Sequence, residues 1–108
     1  MTRFACPYLG VEVELTDERE RHIAERHPDL LPAHRHCIAD TLAEPDQVRR
    51  SARFAGARLL SRWFESLRGG KYVVVVVVGD AGPDGRQWII TAYLARRLTT
   101  GEIEWNRD

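Results

Sequence analysis

The sequence predicts an α+β fold: two N-terminal helices packed on one face of a four- to five-stranded antiparallel sheet. Three observations carry this. Two segments with helical apolar spacing lie between residues 18 and 43, each bounded by proline. Six consecutive valines at residues 73–78 read as a central strand covered on both faces. From residue 47 onward the chain is a series of short runs separated by glycine turns, and connections that short join antiparallel neighbours.

The elements follow in order. Val11, Val13 and Leu15 alternate with Glu12 and Glu14, the period of a half-buried strand. Thr16 and Asp17 supply helix-cap chemistry, and Asp17 with Glu20 resembles a capping box. A helix is predicted over residues 18–26, stopped at His27-Pro28 because proline disfavours α geometry in the residue before it. Leu15, Ile23 and Leu30 are its inward anchors. A second helix is predicted over residues 33–43, with Cys37, Ile38, Thr41 and Leu42 as its apolar stripe. Strands are predicted at residues 47–54, 58–66, 71–78 and 87–95, with a short last one at 102–105. The run DAGPDG at residues 80–85 reads as a hairpin loop. The sheet face away from the helices is left concave or open.

At 108 residues the chain fits a single domain, 1–108. Its N-terminus is broken by Pro7 and Gly10 and carries no signal-peptide pattern, and the valine run is too short to span a membrane. Two cysteines, Cys6 and Cys37, are too few for a disulfide framework and fit small buried residues in a reducing compartment. A cytoplasmic location, without membrane contact, is therefore expected.

The formal net charge is zero, which gives no global attraction to nucleic acid. The charges are segregated, however. Arg49, Arg50, Arg53, Arg58, Arg62, Arg68 and Lys71 face a single acid, Glu65, while residues 12–29 are mostly acidic. Such a distribution can present a basic face to a polyanion, or can simply charge the edges of the sheet against unwanted pairing.

Four groups of residues carry candidate chemistry. His22, Arg26 and His27 lie in the run HIAERHP; His22 and Arg26 share a helix face, and the terminal turn can swing His27 back toward them. Histidines that titrate near neutrality beside an arginine can supply a base, an acid and a cation. They equally fit a surface histidine and one that stabilises the helix C-terminus. His34, His36 and Cys37 raise metal binding, but no spacing among them or with His22 and His27 matches a zinc arrangement, and the rings of His34 and His36 are expected to point apart. Neither a metal nor a cofactor is implied. Strand alternation puts Ile89, Thr91 and Tyr93 on one face of the fourth strand, and Trp88, Ile90, Ala92 and Leu94 under the helices. On the second strand Arg58, Leu60, Arg62 and Phe64 share a face, and an arginine on the open face can hold a phosphate. Tyr8, Leu9, Ile103 and Trp105 are apolar residues near the termini that can close a homodimer.

The order LTDERERHIAERHPDL, IADTLAEPDQV, KYVVVVVV, WIITAYLA and GEIEW resembles small bacterial and phage-associated proteins of the barnase–EndoU–colicin–RelE-like nuclease superfamily. Its most specific parts are the helix motif HIxxRHP and the strand motif ITAY. The resemblance implies metal-independent endoribonuclease activity in a toxin setting, by attack of the ribose 2′-hydroxyl on the adjacent phosphate. It maps the helix histidine onto His22 or His27, the basic sheet residues onto Arg53, Arg62 or Lys71, and the late-strand hydroxyl and aromatic onto Thr91 and Tyr93. On that basis proton transfer is expected from His22 and His27, stabilisation of phosphoryl charge from Arg62, and orientation from Thr91 and Tyr93. Arg26, Arg53, Arg58 and Lys71 are the expected RNA-binding residues. A catalytically inactive module of the same fold, binding RNA or a small antitoxin-like protein, is the alternative.

Overall fold

The computed structural model describes residues 1–80 and 85–107. Its elements are β1 (Thr2–Cys6), β2 (Val11–Leu15), α1 (Asp17–Arg26), α2 (Arg35–Ala43), β3 (Gln47–Arg50), β4 (Arg58–Phe64), β5 (Lys71–Gly79), β6 (Gln87–Ala95) and β7 (Glu102–Asn106). The strands form one sheet in the order β1-β2-β6-β5-β4-β3-β7.

This corrects the expected fold. The sheet has seven strands instead of four or five, and it is mixed: β2 pairs with β6 in parallel through Val13–Gln87 and Glu14–Trp88. The helices do not open the chain either, since the β1–β2 hairpin precedes them. The physical reasons are local and non-local. β1 is five residues long and ends against Pro7, so its alternation is too brief to stand out. The parallel pair joins strands separated by both helices and three other strands, so no short connection announces it. The hairpin turn expected at residues 80–85 has positions 81–84 outside the described residues.

A cap fixes the start of α1, and packing holds both helices. Thr16 is the N-cap of α1, and its Oγ1 accepts a hydrogen bond from the Arg19 N–H at 3.1 Å. Asp17, expected to open a capping box, instead sits in the first turn and pairs with the N-terminal ammonium at 2.8 Å. Ile23 from α1, and Cys37, Ile38 and Leu42 from α2, enter one main core with Val13, Leu15, Val48, Leu60, Val73, Val75 and Val77. The alternate valines of β5, Val74 and Val76, join Ala57 and Leu59 in a second apolar cluster on the opposite face. The valine strand is thus buried on both sides, as its composition requires. Cys6 and Cys37 are free and buried, and burial pushes both thiols up from their ordinary titration range. No helix among the described residues is long and apolar enough to cross a membrane.

Two features shape the second face. The register between β5 and β6 shifts at Val76/Val77, so that Val76 lies opposite Thr91 and Val77 opposite Ile89. Ile90 is the extra residue of a β-bulge. Ile89 therefore enters the main core, Ile90 packs on the second face, and the strict alternation expected for β6 fails at this point. Thr91 and Tyr93 nevertheless face away from the helices, opposite Val76 and Val74. The second feature is the connection from β6 to β7. Because β7 lies beyond β3, residues 96–101 cross the second face as a strap, with Leu98 packed on its apolar cluster. Gly101 lets the strap close on β3: its φ is +79°, and a Cβ there would lie 2.1 Å from the Arg50 carbonyl oxygen.

Candidate nucleic-acid interface

The strap, the β3–β4 loop and β6 enclose a groove of about 470 Å³ on the second face. Leu59 of β4 and Val76 of β5 form its floor. Tyr93, Thr91 and Ile90 stand on one side, with Arg53 and Phe54 of the loop opposite them, and Thr99 and Thr100 of the strap close it. The loop is held by Ser51, whose Oγ accepts from the Arg53 and Phe54 N–H groups, each at 3.1 Å. This turn raises Phe54 above the sheet, 51% exposed, with the Arg53 guanidinium 5.6 Å from its ring centroid. A smaller hollow of about 200 Å³ continues the groove along Leu59 and Tyr93 and adds Arg49 and Arg97.

The electrostatics are one-sided. The described residues lining the two hollows include three arginines, Arg49, Arg53 and Arg97, and no carboxylate. Arg49 is anchored: its Nε donates to Gln47 Oε1 at 2.6 Å and its Nη1 to the Thr100 carbonyl at 3.4 Å. A fixed guanidinium beside an apolar floor is suited to an anion that carries a planar ring.

His27 reaches this face from the side. β2 pairs with only the first two residues of β6 before the chain turns into α1, which then runs along the rest of that strand. Arg19 Nη1 donates to the Ile90 carbonyl at 3.2 Å. Arg19, Ile23 and His27 follow one another at helical spacing of four, so they lie along the same flank. His27 is the C-cap residue, with φ −131° and ψ 66°, and its ring centroid lies 6.0 Å from that of Tyr93.

Comparison with family models, with curated proteins and with solved structures gives no match.

Of the residues singled out in the sequence, Arg53, Thr91 and Tyr93 meet in the groove and His27 adjoins Tyr93. The others stand elsewhere. His22 is half-buried on α1, and no hydrogen bond links it to His27 among the described residues. Arg26 is exposed in the last turn of that helix. The arginine-bearing face of β4 is the helix side, because Leu60 and Phe64 of that face pack in the main core. Arg62 there donates to the Glu44 carbonyl at the end of α2, at 2.8 Å, and lies over the Phe64 ring. Lys71, opposite Phe64, donates to the Arg68 carbonyl at 3.0 Å.

Arg58 belongs to a separate ionic clasp. The Glu104 side chain, 13% exposed, accepts from Arg58 Nε at 3.0 Å, from Arg50 Nε at 2.9 Å and from the Tyr8 hydroxyl. Tyr8 also packs on Trp105, with centroids 5.6 Å apart, while Trp105 and Ile103 both remain exposed. Burial, then the hydrogen bond to Glu104 and its charge, push the Tyr8 phenol up to about 12 against the opposing charges of Arg58 and Arg50. Burial raises the Glu104 carboxyl, but the bonds from Tyr8 and Arg50 and the charge of Arg58 outweigh it and hold the group below its ordinary value. The charges of this cluster are spent on one another.

His34 and His36 do not point apart as expected; their rings lie 6.2 Å from each other, because α2 begins only at Arg35 and His34 precedes it. Among the described residues no three metal-ligating side chains converge. The residues that the sequence reading left out of the site are Phe54, Thr99, Thr100, Arg49 and Arg97. Arg49 stood in the basic stretch, but nothing in the sequence says that residues 96–101 cross the sheet.

Proposed function

We propose that this protein binds RNA in the groove on the second face of its sheet. The carrying observation is the charge of that groove: Arg49, Arg53 and Arg97 surround an apolar floor with no carboxylate among the described lining residues, in a chain of net charge zero. Guanidinium groups hold phosphates, and Tyr93 and Phe54 offer aromatic faces for bases. The test is fluorescence polarisation with a labelled single-stranded RNA. Arg53→Gln combined with Arg97→Gln is expected to weaken binding at least about tenfold, each lost phosphate contact also lowering the salt dependence by about one unit of slope. Equal affinity in wild type and double variant would overturn the reading.

A second reading, metal-independent cleavage of the bound RNA, is favoured by one contact, that of His27 with Tyr93. In this reading His27 takes the 2′-hydroxyl proton, that oxygen attacks the adjacent phosphorus, and the P–O5′ bond breaks. The departing 5′-oxygen is protonated by the Tyr93 phenol or by the His27 imidazolium formed in the first step, while Arg53 stabilises the phosphoryl charge. His22 and Arg62, expected from the sequence for proton transfer and stabilisation, give way here to His27 and Arg53. Cleavage in excess chelator that falls about a hundredfold in His27→Ala supports it. Binding without cleavage returns the protein to the first reading.

A further inference from the structure

We infer that the groove is a complete subsite for one nucleotide, with the base seated between Phe54 and Tyr93 and its phosphate on Arg53. The inference rests on the RNA-binding reading and specifies what part of the ligand the groove itself holds.

Three features lead to it. The first is shape. The β3–β4 loop joins the ends of β3 and β4, two to three strand spacings from β6, about 10–14 Å at the backbone. The aromatic side chains of Phe54 and Tyr93 narrow that width, and a base-paired helix cannot enter between them. The volume, about 470 Å³, falls in the range of pockets that enclose small ligands.

The second is the ordering of surfaces. The floor of Leu59 and Val76 is aliphatic, the two side walls carry aromatic rings, and the hydrogen-bonding groups lie around them. The hydroxyls of Thr91, Tyr93, Thr99 and Thr100 make no hydrogen bond among the described residues, so their capacity is unspent. A nucleotide has the complementary order: an apolar base face, polar base edges and ribose hydroxyls, and a dianionic phosphate.

The third is the position of charge. The Arg53 guanidinium lies 5.6 Å from the centroid of the very ring that would stack on the base, which sets the phosphate next to the base and not at a distance. A long polyanion tract would need cations spread along a surface. Here the cations gather at a hollow.

The experiment is calorimetric titration of the full chain with nucleoside monophosphates, ribose 5-phosphate and inorganic phosphate, beside the labelled RNA. A nucleoside monophosphate is expected to bind at least about tenfold more tightly than ribose 5-phosphate, and Phe54→Ala to remove about tenfold of that affinity through lost stacking. Phe54 is half exposed, so its truncation leaves the core intact; an unchanged thermal midpoint checks this. Arg53→Gln is expected to weaken the nucleotide and leave the uncharged nucleoside unaffected. Equal binding of ribose 5-phosphate and nucleotide, or no effect of Phe54→Ala on a folded protein, overturns the subsite. Binding of RNA with none of free nucleotide also overturns it, while the RNA reading stands. Binding of neither overturns both.

Discussion

Glu104 accepts from three side chains at once, Tyr8, Arg50 and Arg58, and through them ties the β1–β2 turn to β3, β4 and β7. Breaking a charged hydrogen-bonded cluster leaves its partners unpaired, so Glu104→Gln is expected to cost about 2 kcal/mol in urea unfolding. The same cluster sets a pH dependence. The folded Glu104 carboxyl titrates below its unfolded value, so its contribution is present above about pH 4.3 and is lost as pH falls through the lower folded value. The Tyr8 phenol is shifted the other way. Its contribution is complete below about pH 10 and disappears as pH rises from there to about 12. Tyr8→Phe should therefore flatten the alkaline limb of the thermal midpoint against pH and remove the highest step of the tyrosinate absorbance titration. A wild-type phenol titrating wholly near pH 10 would contradict the clasp.

At the scale of elements, α1 matters most because it does two jobs. It anchors the core through Ile23 and carries His27 to Tyr93. Thr16→Ala removes its N-cap bond and is expected to cost about 1 kcal/mol. Ile23→Ala empties a fully buried site and is expected to cost about 2–5 kcal/mol, seen as a lower urea midpoint at unchanged slope. The helix itself was legible: Thr16-Asp17 marked its start and His27-Pro28 its end. The capping box was not, since Asp17 turned to the N-terminal ammonium, a contact sixteen residues away in sequence. β6 is legible in the same partial way. Its span agrees with the pattern, residues 87–95, yet the bulge at Ile90 moves Ile89 into the main core. A bulge depends on the partner strand, and a uniform run of valines in that partner gives no register mark.

For the whole molecule, the division of cations between the two sheet faces is decisive. Arg58, Arg62 and Lys71 lie on the helix side and donate to the protein's own acceptors; on the other face Arg53, Arg97 and Arg49, itself held by Gln47 and Thr100, line the groove. Arg62→Gln is accordingly expected to lower stability slightly, by losing its bond to the Glu44 carbonyl, and to leave RNA affinity within about twofold of wild type. A tenfold loss of affinity in that variant would move the binding surface to the helix side. By itself the sequence determined the local matters: both helices, the valine strand covered on two faces, the outward direction of Thr91 and Tyr93, and a basic stretch after residue 48. These follow from periodicity, caps and β-branching, which act between near neighbours. The β1–β2 hairpin, the parallel β2–β6 pair, the strap at residues 96–101 and the choice of arginines around the groove were decided only by the tertiary structure. Each depends on which strands lie side by side, and pairing between distant strands is chosen by the burial of the whole sheet, not by any one segment's pattern.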